Sequence, residues 1–480
     1  MHSSKPKTCP PRQGRDLTTG SIPRHLVAFT LPMLAGSALQ TAYSFVNAIW
    51  AGQFLGKADL AAITVSFPIV FVLMALAGGL TLATNILVSQ YCGAKNYLQM
   101  RKVVQSSVLL VGSLSVLLFV IGEIFTPHIL EAMDTPAEVL SLAIPYMRIF
   151  LISLPFAFSV FLVASMLRGI GDSTTPLYFQ AASVILSAIL DPLLMFGLLG
   201  LPCLGLNGTA WSSVITQAGA AVAIYIYLQR KDSPVAPDWR RLSLDLETTW
   251  HTIKIGIPSA IQQSLVSMGM IFVISMVNRF GANATAAFGA ASRIDQLAFM
   301  PAQTFGMAIS TLSGQNIGAQ KLSRVSQIFR WGAFLSTAIT LIPSALALSV
   351  PHLLLRIFTN DTAVIDTGVQ YLRIVGFAYV FFAISFASNG VINGAGHTFM
   401  TTIFSLISLW IFRVPLAYYL SQRLRSVQGI WYAMAISFAV SMLVSIIYYA
   451  SGRWKIRSVI IKQLPPAGPV GVIGDEAKEV

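Results

Sequence analysis

Charge is scarce in this chain of 480 residues: only 10% are Asp, Glu, Lys or Arg, against about 25% in soluble domains. So few charges cannot cover a water-facing surface of this size, which excludes a soluble fold and makes lipid the main solvent. Cysteine is also rare. Cys9, Cys92 and Cys203 follow no metal or disulfide spacing, so neither a disulfide scaffold nor a zinc module is expected. There is no Gly-x-x-x-x-Gly-Lys-[Ser/Thr] run and no polar stretch long enough for an ATPase domain, which leaves ion or substrate gradients as the energy source. No His, Cys, Asp and Glu cluster has ligand spacing, so no metal site and no cofactor are expected, and a membrane enzyme lacks its acids and nucleophile. Met1 to Thr19 is polar and basic without the short apolar core of a signal peptide, and is read as a disordered cytosolic tail. Residues 456–480, rich in Pro and Gly and then acidic, are read as a second tail.

What is abundant is apolar sequence, at 55%. A membrane helix needs about 20 mainly apolar residues. Such segments run over 24–52, 58–89, 103–126, 138–165, 174–199, 207–230, 247–280, 283–313, 326–352, 362–392, 399–420 and 427–452. The runs are continuous and do not alternate, which argues against a β-barrel. Orientation follows from Lys and Arg. With the N-terminus inside, 22 of the 31 basic residues fall on the cytoplasmic side and 5 on the other, with the remaining 4 inside spans. The net charge of +13 is therefore a topology signal, and no nucleic-acid partner is expected. A bacterial inner-membrane protein with both termini in the cytoplasm follows.

The chain is built twice. Ser89-Gln90-Tyr91-Cys92-Gly93-Ala94-Lys95 matches Gly314-Gln315-Asn316-Ile317-Gly318-Ala319-Gln320 at a shift of 314 − 89 = 225. Tyr146-Met147-Arg148-Ile149 matches Tyr371-Leu372-Arg373-Ile374, and Gly169-Ile170-Gly171 matches Gly394-Ala395-Gly396, at the same shift. Pro32 and Pro258 open the first span of each half, one residue off that register. Shared Gly, Ala and aliphatic bias would not hold a register. The expected fold is an all-α polytopic membrane protein of twelve transmembrane helices. Two parallel, pseudo-symmetric six-helix lobes, 20–230 and 247–455, surround a central cleft and are joined by the linker 231–246. Transporters bind substrate in such clefts and rock the lobes to alternate access.

Several stretches look familiar in combination: Leu167-Arg168-Gly169-Ile170-Gly171-Asp172-Ser173-Thr174-Thr175-Pro176, Leu190-Asp191-Pro192-Leu193, Gly205-Leu206-Asn207-Gly208-Thr209-Ala210, Gly314-Gln315-Asn316-Ile317-Gly318-Ala319 and Arg413-Val414-Pro415-Leu416-Ala417-Tyr418. In order and spacing, from about residue 20 to 455, the chain resembles the multidrug and toxic compound extrusion (MATE) family. The resemblance implies cation-coupled export of organic, often cationic, compounds. It also implies a cation-linked group in the N-terminal lobe, at Pro32, Asn47, Tyr146, Ser187, Asp191 and Thr209. Two of these depart from the family pattern. Asn47 stands where a carboxylate is usual and cannot titrate, and Ser187 stands where Asn is usual. Acids used by some members in spans seven and ten are also missing, the matching positions lying near Val266 and Phe382.

The residues themselves single out Asp191, because a carboxylate in a span costs about 2.5–3.5 kcal/mol on insertion scales unless partnered. It reads either as a proton or Na⁺ site or as a cap on a kink at Pro192. Gln40, Tyr43 and Asn47 share one helix face and line the cleft or glue spans together. Gln262 and Gln263 pose the same choice. Arg148 and Arg373 are repeat mates and read as scaffold cations on broken-helix carbonyls, with a substrate role as the alternative. Arg293 and Asp295 are two apart, so each needs another partner, and a network with Arg413 is open. Asp295 is a second candidate for titration. His251 and His397 read as interfacial. The expected function is H⁺- or Na⁺-driven export of amphipathic organic compounds by a monomer in membrane lipid. A flippase or exporter of a lipid-linked or metabolite substrate on the same twin-lobe plan is the alternative.

Overall fold

The computed structural model describes residues 14–456 except 55–56, 134, 201 and 240–241; for residues 45–54, 57 and 60 it describes the backbone alone. Among the described residues, twelve long helices carry nearly all of the structure and no strand occurs. The first six are α1 (Ile22–Phe54), α2 (Lys57–Gly93), α3 (Tyr97–Ala132), α4 (Ala137–Gly169), α5 (Thr174–Phe196) and α6 (Leu206–Arg230). The second six are α7 (Leu246–Asn278), α8 (Ala282–Gly318), α9 (Leu322–Ser349), α10 (Thr362–Gly394), α11 (Thr398–Leu424) and α12 (Gln428–Ala450). Each coincides with one of the predicted apolar runs. Short loops hold the ends. Asn96 caps α3 by accepting from the Gln99 amide at 3.2 Å, and Asp361 caps α10 by accepting from the amides of Ala363 and Val364.

Among the described residues, eleven of these helices are apolar and long enough to cross a bilayer, and α8 is the exception. It is rich in Ala, Gly, Ser and Thr, carries Arg293 and Asp295, and is largely buried from Ala302 to Gly318. A helix enclosed by protein has no need of lipid-soluble side chains, and small residues let neighbouring backbones approach. By contrast, α3 turns Val116, Leu117, Val120, Ile121, Ile124 and Phe125 outward, as a lipid-facing helix should. One buried core belongs to α2, α3, α4 and α6, around Met147, Leu154 and Phe158, and another to α7, α8, α10 and α12, around Tyr371, Tyr379 and Trp431.

The repeat extends to backbone conformation. Lys95 and Gln320, 225 apart, both turn left-handed (φ 56° and 59°) after α2 and α8, and Gly171 and Gly396 both do so at φ 87° after α4 and α10. The two halves thus end corresponding helices with the same turn.

The linker lies along the first lobe. Val235 is fully buried there, Gln229 donates to the Pro237 carbonyl at 2.9 Å, and the Asp245 amide donates to Ser106 Oγ at 3.1 Å. Asp245 then caps α7. The hydroxyl and amide of Thr248 both donate to it, at 2.6 and 3.1 Å, and hold its carboxyl below the usual aspartate range, with Lys102 adding to the effect.

The stretch expected as a disordered tail to Thr19 divides in two. Residues 1–13 lie outside the described residues, as does 457–480 at the other end. Residues 14–19 are packed against both lobes, with Leu17 fully buried. The partners that hold them lie some 150 to 300 residues away in sequence, where no local pattern reveals them.

Candidate functional site

Asp191 sits in α5, one residue before Pro192, and is 2% exposed. Its Oδ2 accepts from the Tyr43 hydroxyl of α1 at 2.9 Å. Its Oδ1 has no hydrogen-bond partner. The Ser212 hydroxyl of α6 lies beside the carboxylate without completing a bond, which leaves Asp191 Oδ1 and Ser212 Oγ both open. Ser187, one turn before Asp191, faces the same Tyr43 hydroxyl and donates to Thr216 Oγ1 at 3.1 Å. Tyr146 of α4 stands within electrostatic reach of the acid. Helices α1, α4, α5 and α6 therefore converge on one carboxylate ringed by hydroxyls.

Other residues named from the sequence lie apart from this group. The Thr209 hydroxyl turns back to the Leu206 carbonyl at 2.9 Å. Pro32 lies eleven positions before Tyr43 on α1, about 16 Å along the helix axis at 1.5 Å per residue. The side chain of Asn47 falls outside the described residues. Gln40 is exposed and meets Gln180 of α5 at 3.5 Å. Gln262 donates to Ser405 Oγ at 2.8 Å and to the Thr401 carbonyl at 3.3 Å, joining α7 to α11, whereas the neighbouring Gln263 is exposed.

The second lobe holds its own buried acid. Asp295 of α8 is 5% exposed and accepts from two tyrosines of α10, Tyr371 and Tyr379. The guanidinium of Arg413 is near enough to act on it electrostatically. Arg413 closes a π-helical stretch of α11 (Leu406–Arg413), donates from Nε to Ser437 Oγ at 2.7 Å, and lies 4.7 Å over the Phe438 ring. π-Helical turns are frequent where a side chain must be re-aimed. Of the charge network raised by the sequence, the structure brings Arg413 within electrostatic reach of Asp295 without an ion pair between them. Arg293 points to the exposed side of α8. Arg148 pairs with Glu123 of α3 at 3.6 Å, and Arg373 is exposed. Neither repeat-mate arginine is buried against helix carbonyls.

Sequence reasoning missed Ser212, Thr216, Tyr379 and Ser437. Ser212 was the most accessible of them, three positions after Thr209 and so on the same side of α6. Tyr371 carried a signal as the repeat mate of Tyr146: each lobe sets that tyrosine near a buried aspartate.

The lobes meet along α2 and α8. Thr311 Oγ1 donates to Asn85 Oδ1 at 3.1 Å, Gln90 Nε2 to the Gly394 carbonyl at 2.7 Å, and Gln315 Nε2 to the Gly169 carbonyl at 2.9 Å. These bonds lie at the end of the molecule that carries residues 14–20 and the basic loops.

Comparison with known proteins accords with the doubled architecture. The family described as MatE matches residues 32–193 and again 258–419, one copy per lobe. A protein of Bacillus subtilis named "Probable multidrug resistance protein YoeA" is 32% identical over 443 residues, covering 92% of this chain and 96% of the relative. A second from the same organism, "Probable multidrug resistance protein YpnP", is 31% identical over 92% of this chain and 97% of its own length. Among solved structures, one titled as the outward-facing conformation of a multidrug resistance MATE family transporter superposes with a TM-score of 0.85 at 22% identity. It covers 92% of this chain and 98% of its own.

Proposed function

This chain belongs to the MatE family, and we propose on that premise that it is a secondary active efflux antiporter. It exports amphipathic, often cationic, organic compounds in exchange for protons, by alternating access of a cleft between its lobes. The multidrug names of its relatives support the substrate class. We propose further that it works as a monomer in the bacterial inner membrane with its basic end in the cytoplasm, which the distribution of Lys and Arg supports.

One observation carries the coupling: Asp191 is buried with one oxygen bonded to Tyr43 and the other open. A lone carboxylate in this setting is best neutralised, and either a proton or a bound organic cation does so. The two exclude one another at a single charge, which is the minimal requirement for exchange. Protonation also turns the charge-assisted Tyr43 bond into a neutral one of about half the strength. That loosens α1 from α5, and α1 already contains Pro32, which removes one backbone hydrogen bond and permits bending.

Sodium is the second reading, because the hydroxyl oxygens of Tyr43 and Ser212 lie at the acid, with Ser187 beside Tyr43, and hard cations take oxygen ligands. Efflux of ethidium from vesicles, with pH and Na⁺ gradients imposed separately, tests both. The proton reading expects efflux under the pH gradient alone. Efflux only under the Na⁺ gradient transfers the role to sodium, and no efflux under either overturns antiport.

A further inference from the structure

The two glutamines that cross the seam are repeat mates, and so are the carbonyls they reach: 90 pairs with 315, and 169 with 394, at the shift of 225. Each lobe donates one bond to the other, related by the pseudo-two-fold axis. Both glutamines are fully buried. The contact is close enough to require glycine on each side. A Cβ at Gly93 would sit 1.9 Å from the Gln315 carbonyl oxygen, and one at Gly318 would sit 1.9 Å from that of Gln90.

The symmetry stops at the glutamine oxygens. Gln90 Oε1 is buried without a partner. Gln315 Oε1 accepts from the Leu17 amide at 3.1 Å. Around Leu17 the chain is stitched to both lobes. The Arg15 amide donates to the Ile170 carbonyl at 3.1 Å in the first lobe. In the second, Asn316 Nδ2 donates to the Leu17 carbonyl at 3.1 Å, Lys321 Nζ to that of Thr18 at 3.0 Å and Arg324 Nη2 to that of Gly20 at 3.1 Å. Asp16 braces the turn by accepting from the amide and hydroxyl of Thr18, at 2.8 and 2.6 Å. Burial pushes its carboxyl up, but those bonds and the charges of Lys321 and Lys95, one from each lobe, bring it below the usual range. The Leu17 side chain packs with Leu26, Phe305 and Ile317.

We infer that residues Gly14–Gly20 are a strap that fastens the cytoplasmic seam, and that the cleft opens to the cytoplasm only after this strap leaves Gln315 and Asn316. The inference rests on the transporter reading and adds a control on its cycle. Two cross-links equal by sequence become unequal in strength, because only the one at Gln315 is completed by the strap.

The test is a distance measurement by electron paramagnetic resonance in lipid nanodiscs. Spin labels go on Leu98→Cys and Ser323→Cys, exposed repeat mates at the cytoplasmic ends of α3 and α9, with the three native cysteines replaced by serine. The parent is expected to show mainly the short distance. Gln315→Ala is expected to raise the ratio of long to short distances about five- to tenfold, the range for one or two lost hydrogen bonds. Leu17→Ala keeps the backbone bonds but empties the buried place of the leucine side chain, and is expected to raise the ratio at least as much. Gln90→Ala is expected to raise it less. A parent already dominated by the long distance, an unmoved distribution in Leu17→Ala, or an effect of Gln90→Ala as large as that of Gln315→Ala overturns the strap. Leu17 precedes the first of the twelve helices, so that arm stands even if Gln315→Ala does not fold. A shifted distribution in a protein that exports no dye leaves the strap intact and sinks the transport reading. Efflux with an unmoved distribution does the reverse.

Discussion

Each lobe buries one aspartate beside a tyrosine from its fourth helix, yet the two acids are held in opposite ways. Asp191 in the first lobe has one hydroxyl donor and one open oxygen, and its neighbours Ser187, Ser212 and Thr216 carry no charge. Asp295 in the second has both oxygens bonded, by Tyr371 and Tyr379, with Arg413 close by and the rings of Phe288 and Trp431 meeting Tyr371 edge-on. The acids do not come from equivalent helices either, since one lies on α5 and the other on α8. The tyrosines are repeat mates at the shift of 225, whereas the acids are not. A carboxylate oxygen without a donor can take a proton without displacing one, whereas protonating Asp295 weakens a tyrosine bond beside a nearby cation. On the proposed antiport reading, the first lobe responds and the second holds.

Substitutions break or sharpen this contrast. The largest effect is expected at Asp191: Asp191→Asn abolishes proton-coupled ethidium efflux while the unfolding temperature in detergent stays within a few degrees of the parent. Asp295→Ala is expected to do the opposite in kind, lowering stability by about 1–3 kcal/mol for each of the two buried tyrosine hydroxyls it strands. Thermal unfolding reads this directly, and an unchanged melting curve would make Asp295 a responsive group after all. Tyr379→Phe removes one charge-assisted bond and should cost about 1.5–3 kcal/mol by the same measurement. Tyr43→Phe removes a charge-assisted bond of the same kind and should cost a similar amount, but it should also slow efflux several-fold, since it uncouples α1 from the acid; unaltered rates would confine Tyr43 to packing. The smallest change is expected from Asn47→Asp, which adds a second acid to the first span and should move the pH optimum of efflux.

Much of the fold was legible in the sequence, because lipid enforces continuous apolar runs and a doubled gene leaves a constant shift. Even α8, the helix least suited to lipid, shows as an apolar run over 283–313. The candidate site was legible in part. Asp191 stood out because an acid in a span demands an explanation, and Tyr43 because it shares a face with Gln40. What could not be read was which helices touch. Tyr371 and Tyr379 lie 76 and 84 residues from Asp295, and periodicity gives the face of a helix without naming its neighbour. The same gap hid the strap: Leu17 is one apolar residue in a polar stretch, and only the folded seam reveals its partners at 315 and 316.

The contrast between the two acids is tested most directly by counting protons. Purified protein in weakly buffered detergent, with a pH-indicating dye, is titrated with ethidium. The account predicts release of about one proton per bound cation from the parent and from Tyr379→Phe, and none from Asp191→Asn. Equal release from Asp191→Asn and the parent would contradict it.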